Sequence, residues 1–232
     1  MLTTGDLGRL FETAGHIADP PRRALALAIL AVLSQAALRV HEAVALDVSQ
    51  VDLEGASLLA VRGKGGSVHD LPLNPPTVEL LRAWLARRRF LARDGEPALL
   101  ISVRGTRLSI RSVQHLLTRL GLAMDLQKRL SPHVLRHTAA TLALSLGTDV
   151  STVGDLLRHA DLNVTRRYLH LVDTRKREAV SRMGSTIPVS VLTHPALISG
   201  GVSAARPGEP AQLPSDSGTF PLDVQLPLDA AA

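Results

Sequence analysis

The chain has 232 residues, enough for one full-sized domain with its own core and a small addition. Aromatic residues make up only 2% of the sequence and hydrophobic residues 45%, so the core must be built mainly from Ala, Leu and Val, which favours packed helices. The absence of cysteine excludes disulfides and thiolate metal sites and is typical of a reducing compartment.

The positive charge is concentrated in the body of the chain. The net charge is +5, and the residues after Met183 contain one Arg against four carboxylates, so residues 1–183 carry +8. Nearly all of this charge is arginine, whose planar guanidinium binds phosphate through two hydrogen bonds at once. The charge therefore suggests a nucleic acid partner.

The first elements are predicted to be helical. Thr3 or Thr4 is a candidate N-cap for a short leading helix, and the residues Arg22–Ala37 form an apolar run long enough for a buried helix. This run is shorter than the ~20 apolar residues that a membrane span requires. A second short helix is predicted over Val40–Leu46, which places Arg39 at a helix junction.

The hydrophobic period then changes to that of strands. Short β-type runs lie at Val51–Leu53, Ser57–Arg62 and Ser67–Leu73, with glycine-rich turns between them. They predict a small three-stranded antiparallel sheet with Lys64 at the tip of a hairpin.

Helices are predicted for the rest of the body. The first opens at Pro75 and runs to about Ala92, with Phe90 near the end of its inner side. Another begins at Ser109 as N-cap and ends at Gly121, and Ser131-Pro132 opens one that ends at Gly147. Three more are predicted: Ser151–Arg158, one from about Asn163 that carries Tyr168, and Asp173 to about Arg182.

The predicted fold is therefore mainly α, an α+β domain with one small antiparallel sheet. Seven prolines lie between Pro188 and Pro227 among Gly, Ser and Ala, a composition typical of disordered segments. We predict a single folded domain over residues 1–183 and a Pro-rich tail over residues 184–232.

Four motifs in this order resemble the catalytic domain of tyrosine recombinases and phage integrases, over roughly residues 3–182. They are Ala37-Leu38-Arg39-Val40-His41-Glu42, Arg62-Gly63-Lys64-Gly65-Gly66, Pro132-His133-Val134-Leu135-Arg136-His137-Thr138, and the step from His159 to Tyr168-Leu169-His170.

The resemblance implies a role for each of six residues. Tyr168, the only tyrosine, would be the nucleophile that forms a bond to the 3′ phosphate of a cut DNA strand. Lys64 would protonate the leaving 5′ oxygen, His133 would act as general acid or base, and His159 would donate a hydrogen bond to the scissile phosphate. Arg39 and Arg136 complete the catalytic set, and Glu42 is expected to orient the arginines.

The spacing also suits the chemistry. Two guanidiniums, those of Arg39 and Arg136, can neutralise the charge on a phosphodiester during attack. His133 and Arg136 are separated by three positions, so one helical face aims both side chains at the same point. Because the phosphotyrosine bond stores the energy for rejoining, we expect neither a metal nor another cofactor to be needed.

The resemblance implies site-specific recombination of double-stranded DNA by a homo-tetramer and without a membrane. The bacterial cytoplasm is the expected location because the chain lacks cysteine. The chain departs from the family's usual residues at Arg158 and Ala37, where glycine is usual, and at His41, where serine is usual. An N-terminal core-binding domain, usual in the family, is expected to be absent. The alternatives are a truncated DNA-binding remnant without productive recombination and a type IB topoisomerase-like relaxing enzyme.

A zinc site is the remaining alternative for the histidines. His133 and His137 are four positions apart on one helix, as in the His-Glu-x-x-His motif. Val134 stands where that motif has its catalytic Glu, so the sequence favours a role for His137 in packing beside the site.

Overall fold

The computed structural model describes residues 2–63, 66–127, 129–146, 148–157 and 179–188, together with residues 177 and 190. In chain order its named elements are the helices α1 (Thr4–Gly15), α2 (Pro20–Ser34) and α3 (Val40–Ala45), a short 3-10 helix (Val48–Gln50), the strands β1 (Val51–Asp52), β2 (Ser57–Arg62) and β3 (Val68–Pro72), and the helices α4 (Pro75–Arg88), α5 (Ile110–Ala123), α6 (Pro132–Ser145) and α7 (Val150–Leu156).

The predicted fold class is confirmed, and α2 lies at the centre of it. Every residue from Ala24 to Leu33 is at most 5% exposed. The helix packs against α1, α3, α4 and α6, which explains why it is apolar on all sides. No helix within the described part of the chain is long and apolar enough to cross a membrane.

The helices begin at polar caps, as their sequences predict. Thr3 caps α1 and Ser109 caps α5 through side-chain hydrogen bonds to the first turn. The start of α2 differs from the prediction, because Asp19 is the N-cap and accepts a hydrogen bond from the Arg22 amide at 2.9 Å. Pro20 and Pro21 then fill the first two helical positions, where a missing amide proton costs nothing.

Helix α4 is shorter than predicted. It ends at Arg88 and not near Ala92, and Phe90, expected on its inner side, is 62% exposed. Trp84 does face the core, where it is 1% exposed and its indole Nε1 donates to the Leu99 carbonyl at 2.8 Å. The helical phase therefore predicted the buried side correctly only as far as the helix continues.

Helix α5 passes through Gly121, which was predicted to end it. A Cβ at this position would lie 3.0 Å from the Cβ of Leu130. The glycine therefore serves the close approach of the segment that follows the helix, and α5 continues to Ala123.

The three strands form an antiparallel sheet in the order β1-β2-β3. Leu58 pairs with Leu71, but farther along Val61 pairs with His69, so β2 has one extra residue between these pairs. This irregularity is a β-bulge, in which two residues of one strand lie opposite one residue of its neighbour.

The C-terminal part is described in pieces. The predicted helix from Asn163, and most of the one from Asp173, lie outside the described residues. Residues 179–184 are helical, and the packing continues past the predicted boundary at residue 183, because Thr186 is 7% and Ile187 3% exposed.

Candidate active site

Arg39 lies at the start of α3, where one carboxylate holds it twice. Its backbone amide donates to Glu42 Oε2 at 2.7 Å, and its guanidinium Nη1 donates to Glu42 Oε1 at 2.8 Å. The Glu42 side chain is fully buried, whereas that of Arg39 is 23% exposed. Burying a carboxylate without a cationic partner would cost several kcal/mol, so this pair fixes the arginine firmly.

Arg136 lies one turn into α6 and is 9% exposed. Its guanidinium donates to two backbone carbonyls, from Nη1 to Ala37 and from Nη2 to Leu157. The first acceptor is two residues before Arg39, and the second is two residues before His159. One side chain therefore joins the end of α2, helix α6 and the end of α7 at a single corner.

His133 lies in the first turn of the same helix, which begins after Ser131 as predicted. The Ser131 hydroxyl accepts a hydrogen bond from the Val134 amide at 3.4 Å, at the long end of the range for such a bond. His133 is exposed and lies three positions before Arg136, so the two share one face of α6. His137 is also exposed, on the next turn.

The structure thus links Arg136, which shares a face of α6 with His133, to the backbone two residues before Arg39. The other three predicted residues, Lys64, His159 and Tyr168, lie outside the described residues. Their described neighbours are the ends of β2 and β3 for Lys64, and the end of α7 for His159.

Two groups at this corner were not predicted from the sequence. They are the carbonyl oxygens of Ala37 and Leu157, which accept from Arg136. Every residue has a carbonyl, so side-chain identity gives no signal for such an acceptor. The only sequence feature nearby is Ala37 itself, at a position where the resemblance leads one to expect glycine.

Chemically, the corner offers two guanidiniums fixed by different means. Arg39 is held by a carboxylate and Arg136 by backbone carbonyls, and each guanidinium has five N–H donors in a rigid plane. Donors held in place before a reaction stabilise developing negative charge better than mobile ones. The arrangement therefore suits an oxyanion such as a phosphate.

The chain is similar to known proteins. Residues 1–175 match the phage integrase family. Tyrosine recombinase XerC of Alcanivorax borkumensis is 41% identical over 145 residues, which cover 62% of this chain and 47% of that protein. XerC of Mycobacterium bovis is 35% identical over 156 residues, covering 66% of this chain and 52% of that protein. The chain spans about half the length of these relatives.

Solved structures give the same result. The crystal structure of XerA recombinase is similar with a TM-score of 0.62 and 31% identity, over 76% of this chain and 62% of that one. XerH bound to its palindromic difH substrate, a post-cleavage complex, has a TM-score of 0.61 and 28% identity, over 78% of this chain and 52% of that one. With the family match extending over residues 1–175 of 232, the chain belongs to the phage integrase family.

Proposed function

We propose that this chain is the catalytic domain of a site-specific recombinase that cuts and rejoins DNA through a covalent bond to Tyr168. The observation that carries the proposal is that Arg136 donates to the carbonyl of Ala37, two residues before Arg39, while Glu42 holds Arg39 through two hydrogen bonds. Among the groups that a pair of rigid guanidiniums recognises, a phosphodiester is the one that also suits a basic body of +8.

In the proposed reaction the phenolic oxygen of Tyr168 attacks the phosphorus of the scissile phosphodiester. The bond from phosphorus to the 5′ oxygen breaks, and Lys64 supplies the proton that this oxygen takes up. The product is a 3′ phosphotyrosine and a free 5′ hydroxyl. Attack by the 5′ hydroxyl of another strand reverses these steps and rejoins the DNA.

The remaining residues act on charge and protons. Arg39 and Arg136 stabilise the negative oxygens of the transition state, and His159 donates a further hydrogen bond to the phosphate. His133 assists the removal of the phenolic proton, because an unperturbed tyrosine with a pKa of about 10 is a weak nucleophile. Glu42 orients Arg39 and takes no part in bond making.

The partner in this proposal is double-stranded DNA, supported by the XerH neighbour, which was solved with its difH substrate. We further propose a homo-tetramer on DNA and a location in the cytoplasm, with residues 1–183 as the catalytic domain. A DNA-binding remnant without recombination is the competing function, and it makes the opposite prediction in the following experiment.

The test is a covalent adduct on a nicked suicide substrate built from candidate sites that flank the gene. Wild-type protein should form a denaturant-resistant adduct on the 3′ phosphate and leave a free 5′ hydroxyl, in the presence of a metal chelator. Tyr168→Phe removes only the attacking oxygen, so it should bind the same DNA and form no adduct.

A matched control separates Tyr168 from any accessible phenol. The double variant Tyr168→Phe/Phe90→Tyr places a tyrosine on an exposed surface position, since Phe90 is 62% exposed, and should remain inactive. Adduct that persists in Tyr168→Phe, or that disappears from the wild type with the chelator, would contradict the mechanism. DNA binding by the wild type without any adduct would favour the remnant.

A further inference from the structure

The bulge in β2 determines which residues of the hairpin face the core. Leu58 and Val61 are both buried, although an unbroken strand would point residues 58 and 61 to opposite faces. The two residues between them, Leu59 and Ala60, are exposed and lie opposite Asp70. Because a shift of one residue moves every later side chain to the other face, the bulge also places Arg62 on the solvent side.

The bulge requires a backbone conformation that alanine disfavours. Ala60 has a φ of 51°, in the left-handed region, where a residue with a Cβ is about 1–2 kcal/mol less stable than in the right-handed region. Its amide is also out of register with the β3 backbone. Contacts from outside the strand must therefore stabilise this conformation.

Two side chains supply those contacts, from opposite sides of β2. Asp70 of β3 accepts a hydrogen bond from the Ala60 amide at 2.8 Å. Gln50 of the 3-10 helix donates from Nε2 to the carbonyls of Leu59 at 3.0 Å and Ala60 at 2.9 Å. Together they bind the polar backbone groups that the extra residue takes out of the ladder.

Gln50 also connects the hairpin to the start of the 3-10 helix that follows α3. Its Oε1 accepts from the Asp47 amide at 2.9 Å, at the start of the 3-10 helix that follows α3. One amide side chain therefore bridges the connection after α3 to the bulge of β2. The strands beyond the bulge lead to the hairpin tip, residues 63–67, whose base is closed by the Gly63 amide donating to the Ser67 carbonyl at 2.7 Å.

We propose that Gln50 and Asp70 are positioning residues for DNA cleavage, which hold the bulge and so direct the tip of the β2–β3 hairpin toward the scissile phosphate. The inference rests on the proposed function, in which Lys64 of this tip protonates the leaving 5′ oxygen. Neither side chain touches the reacting atoms. Their effect is to fix the hairpin relative to the corner of Arg39 and Arg136.

Single-residue variants test the proposal on the 232-residue chain. Gln50→Glu keeps the Oε1 acceptor for Asp47 but removes the donor to the bulge, and Asp70→Ala removes the acceptor for the Ala60 amide. Asp70→Asn retains an acceptor oxygen and should behave like the wild type. Gln127→Glu and Asp94→Ala make the same changes at exposed positions outside the hairpin and serve as matched controls.

Two substrates distinguish a misplaced Lys64, the proposed proton donor, from a general loss of activity. On an ordinary phosphodiester, Gln50→Glu and Asp70→Ala should form adduct at least about tenfold more slowly than the controls, since displacements of ~1 Å have effects of this size. On a substrate with a 5′-bridging sulfur, whose leaving group needs no proton, their rates should return to within about threefold of the wild type, as should that of Lys64→Ala.

Amide hydrogen exchange tests, independently of cleavage, whether Gln50 and Asp70 stabilise the bulge. Exchange at residues 57–62 should rise in Gln50→Glu and Asp70→Ala, with little change in Tm. Unchanged exchange, wild-type cleavage of the ordinary substrate, equal slowing on both substrates, or failure of sulfur to rescue Lys64→Ala would each overturn the proposal. If the wild type forms no adduct, the proposed function fails and the positioning role with it, while exchange still shows whether the two side chains hold the bulge.

Discussion

Ala37 combines a strained backbone with a contact to the candidate site. Its φ is 50°, its side chain is fully buried, and its carbonyl accepts from Arg136. A left-handed conformation costs a residue with a Cβ about 1–2 kcal/mol, which is why glycine suits such positions. Alanine is the smallest residue that has this strain, so larger residues should be poorly tolerated here.

We expect Ala37→Val to lower the free energy of unfolding by about 1–2 kcal/mol more than Ala36→Val, measured by urea denaturation. Both alanines are buried, and both substitutions add the same two methyl groups. Only Ala37 has a positive φ, so the difference isolates the cost of a β-branched side chain in the left-handed region. Equal losses in the two variants would contradict this explanation.

At the level of the element, α1 begins with a capping box that depends on a charged carboxylate. Asp6 Oδ2 accepts from the Thr3 amide at 3.0 Å, Thr3 Oγ1 accepts from the Asp6 amide at 3.0 Å, and Arg9 donates to Asp6 Oδ1 at 2.7 Å. The hydrogen bond from the Thr3 backbone is the largest cause that lowers the pKa of Asp6 from 3.8 to about 2, and the bond from Arg9 comes next.

This pKa gives the capping box a defined pH dependence. A depressed folded-state pKa contributes stability that is fully present above 3.8 and is lost as the pH falls toward about 2. Asp6→Ala should therefore lower the Tm by about 2–4 °C at neutral pH, with a smaller difference near pH 3, measured by differential scanning calorimetry. Asp94→Ala, at an exposed position, is the control. An equal effect of Asp6→Ala at both pH values would count against the charge.

The order of the elements could be predicted from the sequence because the residues that start a helix act within its own first turn. Thr3, Ser109 and the pair Ser131-Pro132 start helices where predicted, since a cap needs only its own first turn. The predicted helix ends are wrong where contacts with other segments determine how far a helix continues. Gly121 lies within α5, where the missing side chain leaves room for Leu130, and a contact between two segments leaves no periodic pattern in the sequence.

In the bulge and the candidate site, too, the sequence predicts residue identities but not the contacts between distant segments. Ala60 adopts a positive φ without being glycine, since Gln50 and Asp70 hold it there, and nothing in the strand itself predicts this conformation. For the site, the motif predicted Arg39 and Arg136, and the structure shows Arg136 bound to the carbonyl two residues before Arg39. Their nearest supports include backbone carbonyls, whose positions depend on how three helices meet.

At the scale of the whole molecule, the C-terminal residues pack onto the body through a buried polar cluster. Asn74 Nδ2 donates to Gln35 Oε1 at 3.2 Å and to the Val180 carbonyl at 2.9 Å, while Gln35 Nε2 donates to Thr186 Oγ1 at 3.2 Å. Gly184 permits this approach, because a Cβ there would lie 2.8 Å from Asn74 Cγ.

Truncation should therefore affect stability only when it reaches this cluster. A chain that ends at residue 190 should melt within about 2 °C of the full chain. The residues it lacks, 191–232, are rich in proline and poor in periodic apolar content. A chain that ends at residue 183 should melt about 3–10 °C lower, because it loses the buried Ile187 and the bond to Thr186.

Thermal melts of the two truncations and of full-length Ile187→Ala provide the measurement. The point variant should reproduce part of the loss seen in the shorter chain, with all other residues present. Equal melting temperatures for the two truncations would show that residues 184–190 contribute nothing to the body.

The contacts of Arg136 tie the proposed active site to the folding of distant parts of the chain. Ala37 lies 99 residues before this arginine and Leu157 lies 21 after it, so its guanidinium is seated only once the chain has closed over that span. Under the proposed mechanism, a chain that has not yet formed these contacts lacks a seated Arg136 and should not cleave DNA. Completion of this part of the fold and assembly of the proposed site therefore depend on the same two hydrogen bonds.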